Sequence, residues 1–188
     1  MNKLFISNIK AENNRYRIRI VREKDLIDLF NIYSNKENVI YLNKDDCNGD
    51  DFYCESIDKL EKKYLFWKDA YKNKWFVRYS IIDKVNKKVI GMLELMPIKS
   101  YDSFNESILF RLDLLLKYEK EEFISEIITL CKKNILKNCK YRKIIIKCDP
   151  KMNERYNSLI SLKFKQSKRL YIGAEDNKQY KDYYVLKK

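Results

Sequence analysis

The stretch 107–148 constrains the fold more than any other part of the chain. Residues 107–116 form an apolar-rich run. Phe123, Ile124, Ile127, Ile128, Cys131 and Ile135 then recur at helical spacing, and 143–148 is a second short apolar run. Such runs read as strands and the middle pattern as one buried face of a helix, predicted over about 121–138. A strand, a helix and a strand in this order close as a right-handed crossover between parallel strands.

The flanking segments extend this unit. A short strand is expected over 4–9, and Arg15-Tyr16-Arg17-Ile18-Arg19-Ile20 alternates as a half-buried strand. Asp25 suits the N-cap of a helix carrying Leu26, Leu29, Phe30 and Tyr33. Ser56 suits the cap of another reaching about 70, with Ile57, Leu60, Tyr64 and Trp67 inward. Strands 75–82 and 89–96 read as a hairpin about the polar turn 83–88. Asp149-Pro150 ends one strand and opens a helix to about 162; strands 164–171 and 182–186 close the chain. The sum is an α/β (α+β) domain spanning 1–188. It has a mixed, mostly antiparallel sheet of about seven strands and about four helices.

Composition narrows the chemistry. The chain has no histidine. That removes Ser-His-Asp and Cys-His catalysis and leaves carboxylates, tyrosine, lysine, cysteine, a terminus or water as proton carriers. Net charge is +13, yet only nine of the 40 basic residues are arginine, and Gly (3) and Pro (2) are scarce. The coding bias of an AT-rich genome accounts for this, so nucleic acid is not an expected partner. The basic cluster Lys137, Lys140, Arg142, Lys143 and Lys147 around Tyr141 reads as a solvated helix end. Five cysteines without a CxxC pair point to reduced thiols. With no apolar run of spanning length, a cytoplasmic location without membrane contact is expected. The acidic loop 43–51 has Asp46, Asn48 and Asp50 at calcium-loop spacing, but Asp51 stands where glycine is required, so no metal is expected.

The element order, together with three local motifs, resembles the GNAT superfamily of acyl-CoA-dependent N-acyltransferases. The run Ile18-Arg19-Ile20-Val21-Arg22-Glu23-Lys24-Asp25-Leu26-Ile27-Asp28-Leu29-Phe30-Asn31-Ile32-Tyr33-Ser34 is similar to the opening of the subgroup that acetylates ribosomal-protein N-termini. Lys88-Val89-Ile90-Gly91 resembles the third-strand signature, and Tyr118-Glu119-Lys120-Glu121-Glu122-Phe123-Ile124-Ser125-Glu126 aligns with the cofactor loop. The resemblance implies a splayed parallel strand pair holding acetyl-CoA at Leu114, Leu115 and Leu116. It also implies an oxyanion-binding N–H near Leu115, and a pyrophosphate on the helix opening at Lys120, Glu121, Glu122 and Phe123, with Asn153 assisting. The acceptor would be an amine, on a protein N-terminus or a small molecule, in a pocket shaped by residues 34–70. The protein would be a monomer or homodimer.

Departures from the pattern are specific. Lys120 and Glu122 stand at the family's glycine positions, so three carboxylates (Glu119, Glu121, Glu122) surround the expected anion site. Met152 and Lys163 replace the later Asn and Gly, and Leu159 replaces a tyrosine that often acts as general acid, leaving Tyr156 one turn away. Glu94 and Asp113 are the candidate bases, with Arg111 a possible cross-strand partner. Two readings follow: an acetyltransferase holding CoA through Lys117, Lys120 or Lys151, or a catalytically inactive GNAT-fold protein that binds a ligand or partner.

Overall fold

A computed structural model describes residues 3–5, 9–137 and 139–188. Strands β1 (Lys10–Glu12) and β2 (Tyr16–Ile20) precede helices α1 (Leu26–Tyr33), α2 (Lys36–Val39) and α3 (Ile57–Lys72). Strands β3 (Val77–Asp83), β4 (Lys88–Ile98) and β5 (Ser107–Leu114) lead into α4 (Glu121–Asn134), β6 (Lys143–Lys147) and α5 (Asn153–Ser161). The chain closes with β7 (Lys165–Gln166), β8 (Tyr171–Ile172), β9 (Gln179–Tyr180) and β10 (Tyr183–Lys187). Eight strands form one sheet in the order β1-β2-β3-β4-β5-β6-β10-β7, and β8-β9 is a separate ribbon. Among the described residues, only β5 and β6 pair in parallel, with α4 as their crossover.

The two faces of the sheet carry different work. Alternation sends Ile108, Phe110, Leu112, Ile144 and Ile146 to the face covered by α4 and α5. The helices α1 and α3 cover the opposite face around Tyr33, Trp67 and Met92. Next to that second cluster, Leu109, Ile145, Phe104, Tyr171 and Tyr183 form a smaller apolar group.

Four expectations about elements are corrected. Lys3–Phe5 is a single 3-10 turn rather than the start of a strand, and 6–8 lie outside the described residues. The central helix stops at Asn134, because the N–H groups of Ile135 and Leu136 both turn back to the Cys131 carbonyl; residue 138 lies outside the described residues. The strand foreseen over 164–171 is two strands in different sheets. The Ser167 hydroxyl accepts from Arg169 N–H and donates to Arg169 O, which closes a turn between them. Ser56 caps α3 as expected, accepting from Lys59 N–H; Asp25 stands at the N-cap position of α1 as expected, but its side chain makes no capping hydrogen bond there.

Asp25 is claimed instead by charge. Its carboxylate takes a two-pronged contact from Arg19 (2.6 and 2.7 Å), the Ser80 hydroxyl (2.7 Å) and the Arg22 N–H (2.9 Å). A bidentate pair with a guanidinium outweighs a single bond from a neutral backbone N–H. Burial opposes the charge, but Arg19, Ser80 and Arg22 hold this carboxyl below its ordinary pKa. A depressed folded pKa gives stability that is complete above the unfolded value of about 3.9 and is lost as pH falls through the folded one. Asp25→Asn should therefore be less stable than wild type at neutral pH, with the gap in urea midpoint narrowing below pH about 4.

Gly91 marks a bulge. Gly91 faces Ile81 while Val89 faces Ile82, so Ile90 is the extra residue on β4. A Cβ on Gly91 would lie 2.5 Å from Leu114 Cδ2 and 2.9 Å from the Asp113 carbonyl oxygen. The backbone of β5 cannot retreat, so Gly91→Ala should cost about 1–3 kcal/mol in urea unfolding.

Candidate ligand cleft and buried charge cluster

The parallel pair β5–β6 matches partners at only three positions: Ser107 with Lys143, Ile108 with Ile144 and Leu109 with Ile145. Beyond Leu109, β5 continues to Leu114 paired with β4 alone. The strands therefore splay toward the N-termini of α4 and α5. This is the opening that the resemblance assigns to the cofactor.

The chain's own side chains occupy the polar groups there. Arg155, on the first turn of α5, is 3 % exposed. Its Nη2 donates to the Leu112 carbonyl (3.0 Å), and Nε and Nη2 grip Glu119 at 2.7 and 2.8 Å. Beside it, Glu154 accepts the Glu121 N–H (2.9 Å) and Lys120 Nζ (3.1 Å), which together hold its carboxyl below the ordinary value. The first N–H groups of a helix lack internal partners and favour an anion. In this protein Glu154 is that anion for α4. Ser158 adds a hydrogen bond from its hydroxyl to the Glu121 carbonyl (2.7 Å).

Several of the remaining candidate positions are also engaged. The Leu115 N–H, the expected oxyanion donor, bonds to the bulged Ile90 carbonyl (3.1 Å), and the Leu116 N–H bonds to Asn38 Oδ1 (3.0 Å). Leu114 pairs with Gly91 across the sheet. The Phe123 ring is edge-on against Tyr16 (4.9 Å) in the core. Glu122 is exposed on α4, and Asn153 opens α5. The Leu115, Leu116 and Glu121 N–H groups and the Leu112 carbonyl thus already hold protein partners, which an acyl-CoA would have to displace.

Across the sheet, register builds an ion triad. Arg78 on β3 stands opposite Glu94 on β4, and Glu94 opposite Arg111 on β5. Both Glu94 oxygens are taken: Oε2 by Arg78 (Nε 2.7 Å, Nη2 2.6 Å) and Oε1 by Arg111 (2.5 Å). Burial would raise the Glu94 pKa, but the two guanidiniums hold it down. Asp113 accepts the Tyr33 hydroxyl (2.7 Å) with Arg78 4.0 Å away, and here burial prevails and pushes the carboxyl upward. Glu94 and Asp113 therefore share one buried cluster. Tyr156 lies on α5, which covers the opposite face, and is edge-on to Tyr184 (6.0 Å); the structure does not bring it to them.

The acidic loop covers this cluster. The Arg111 Nη2 donates to the Asp45 carbonyl (2.5 Å), and the Asp45 carboxylate pairs with Lys147 (2.6 and 2.7 Å). Asp46 accepts from Tyr171 (3.0 Å) and from the Ala174 (2.9 Å) and Glu175 (2.7 Å) N–H groups. Loop 43–51 thus fastens itself to β6 and to the β8–β9 ribbon. Among the described residues, no group of three or more Cys, Asp or Glu is placed to hold a metal ion. No described helix is long and apolar enough to cross a membrane.

This architecture is that of the GNAT acetyltransferases. Spermidine N-acetyltransferase from Vibrio cholerae, solved with CoA and spermine, superimposes with TM-score 0.67 at 18 % identity, covering 93 % of this chain and 96 % of that one. A ribosomal-protein-S5-alanine acetyltransferase from Vibrio fischeri gives 0.63 at 15 % identity, with 96 % of both chains covered. A GNAT-family acetyltransferase from Bacillus anthracis gives 0.63 at 16 %, with 95 % and 98 % covered. No family model matches the sequence, and no curated protein matches it either. Polyamine and ribosomal-protein enzymes are similarly near, so the likeness shows the GNAT fold without singling out the ribosomal subgroup.

Proposed function

We propose that this chain uses the GNAT fold as a binding module and that its acyl-CoA cleft is filled from within. One observation carries the reading: Glu154 and Arg155 sit on the helix N–H and the strand carbonyl that a cofactor would need. Magnitudes support it. Breaking a buried ion pair and stranding one partner costs about 3–5 kcal/mol, and each 1.4 kcal/mol is about tenfold in affinity. A cofactor that bound an open cleft at about 1 μM would bind this one at about 1 mM.

A second reading is favoured by the splayed β5–β6 pair, which leaves a seam where the fold's enzymes hold cofactor. In that reading the protein is an N-acetyltransferase acting on a primary amine, and α5 withdraws its clasp before each turnover. Asp113, whose pKa burial raises, then serves better than Glu94 as the proton acceptor. Calorimetry with acetyl-CoA separates the two. The binding-module reading expects no saturable heat at micromolar cofactor, and at most weak binding near about 1 mM. Binding near 1 μM, with acetyl transfer to spermidine or to an N-terminal peptide, would establish the enzyme.

A further inference from the structure

A groove of about 460 Å³ lies at the far end of the sheet from the splay, lined by Ser103, Phe104, Lys143, Val185 and the segment that enters and leaves β7. Five of its lining residues are cations: Lys143, Lys163, Lys165, Arg169 and Lys187. None of its lining residues is acidic. Lys143 and Ile145 share a face of β6 with Val185 and Lys187 of β10, the face turned away from α4 and α5. The groove is thus remote from the cofactor cleft both in face and in strand end, and it stands whichever reading of that cleft holds.

The register makes the charge deliberate in its placement. Lys143 is directly opposite Lys187 on the neighbouring strand. Like charges in facing positions destabilise a sheet. Lys165 stands opposite Val185 on the other side of β10, on the same face as Lys187, and Lys163 lies just before β7. Lys143, Lys187 and Lys165 therefore form a diagonal row across β6, β10 and β7. Nearby cations are treated differently: Lys147 has Asp45 and Arg142 has Glu106. Among the described residues, no carboxylate pairs with any of the five groove cations. Lys143 reaches only the Ser103 carbonyl.

We propose that this groove binds the phosphodiester backbone of a nucleic acid without reading its sequence. Strands lie about 4.8 Å apart and alternate residues about 6.7 Å apart along a strand. The row and its flanking cations thus cover roughly 10 by 7 Å, a stretch that meets several phosphates of a strand carrying one charge per about 3.4 Å of axis. The ligand is a polyanion because every charged group in the groove is a cation. It is a thin chain rather than a membrane because the site is concave and its aromatic lining residue, Phe104, is buried.

Fluorescence anisotropy with a labelled 20-nucleotide single-stranded RNA tests this. Wild type should bind in the micromolar range at 50 mM salt, with a log–log salt slope near −3, as about 0.7 per phosphate for four to five contacts requires. The exposed triple variant Lys163→Gln, Lys165→Gln, Lys187→Gln should lose at least tenfold and about two units of slope. A charge-matched control on α3, Lys62→Gln, Lys68→Gln, Lys72→Gln, should lose less than about threefold. Circular dichroism should show both triples folded, since all six side chains are exposed. Absence of wild-type binding at 50 mM salt overturns the proposal. Equal losses in the two triples overturn it too, because net charge alone would then explain binding. So does competition by polyglutamate or anionic vesicles as strong as that by unlabelled RNA.

Discussion

Glu94→Ala is expected to lose about 3–5 kcal/mol of unfolding free energy, the largest stability effect of any single substitution considered. The carboxylate lies 2 % exposed between two guanidiniums that are themselves 5 % exposed. Removing it leaves two positive charges in the interior, about 10 Å or less apart across two strand spacings, with Asp113 as the remaining nearby anion. A domain has about 5–15 kcal/mol in total, so the alanine variant should sit close to its unfolding threshold. Glu94→Gln keeps hydrogen-bond acceptance toward one arginine and should lose less. Urea unfolding followed by circular dichroism measures both. A loss under about 1 kcal/mol for the alanine variant would show that Arg78 and Arg111 find other partners, and the triad would not be the keystone of that face.

The second large effect concerns ligand affinity. Replacing Glu119 by Gln and both Glu154 and Arg155 by Ala removes the clasp as a unit and leaves neither a buried carboxylate nor a buried guanidinium without its partner. The Glu121 N–H and the Leu112 carbonyl then become available. Acetyl-CoA affinity should rise at least tenfold over wild type in calorimetry. The full gain of about 10²–10³ implied by a buried pair is not expected, because Glu121 and Glu122 still repel a pyrophosphate and Lys120 and Glu122 still stand where glycines would admit it. Unchanged affinity in a folded triple variant would mean that the missing glycines alone close the cleft.

The sequence made the scaffold readable because its strands and helices follow clear periods. The crossover 107–148, the Ser56 cap and the hairpin about 83–88 rest on local signals, and they stand in the structure. The Arg111–Glu94 contact was also foreseeable, since it needs only strand register. What stayed hidden depends on contacts between distant segments. Glu154 and Arg155 are ordinary residues of a helix's first turn by any local rule, and only the approach of α5 to α4 turns them into the occupants of the cleft. The acid-rich segment 119–122 was the available clue: Glu119 uses its carboxylate on Arg155, whereas the anion at the start of α4 is Glu154, from a distant segment. The loop 43–51 likewise showed its acids in sequence but not that Asp45 and Asp46 fasten it to Lys147 and the β8–β9 ribbon. The split of 164–171 turned on one serine.

An amide-resolved NMR titration with acetyl-CoA tests the closed cleft at the atoms concerned. With Glu154 and Arg155 in place, the Glu121 amide and the amides of 112–116 should keep their positions up to about 50 μM cofactor, well below the roughly 1 mM affinity expected of the closed cleft. Saturable movement of those same resonances at micromolar cofactor, in the unmodified protein, would contradict the account.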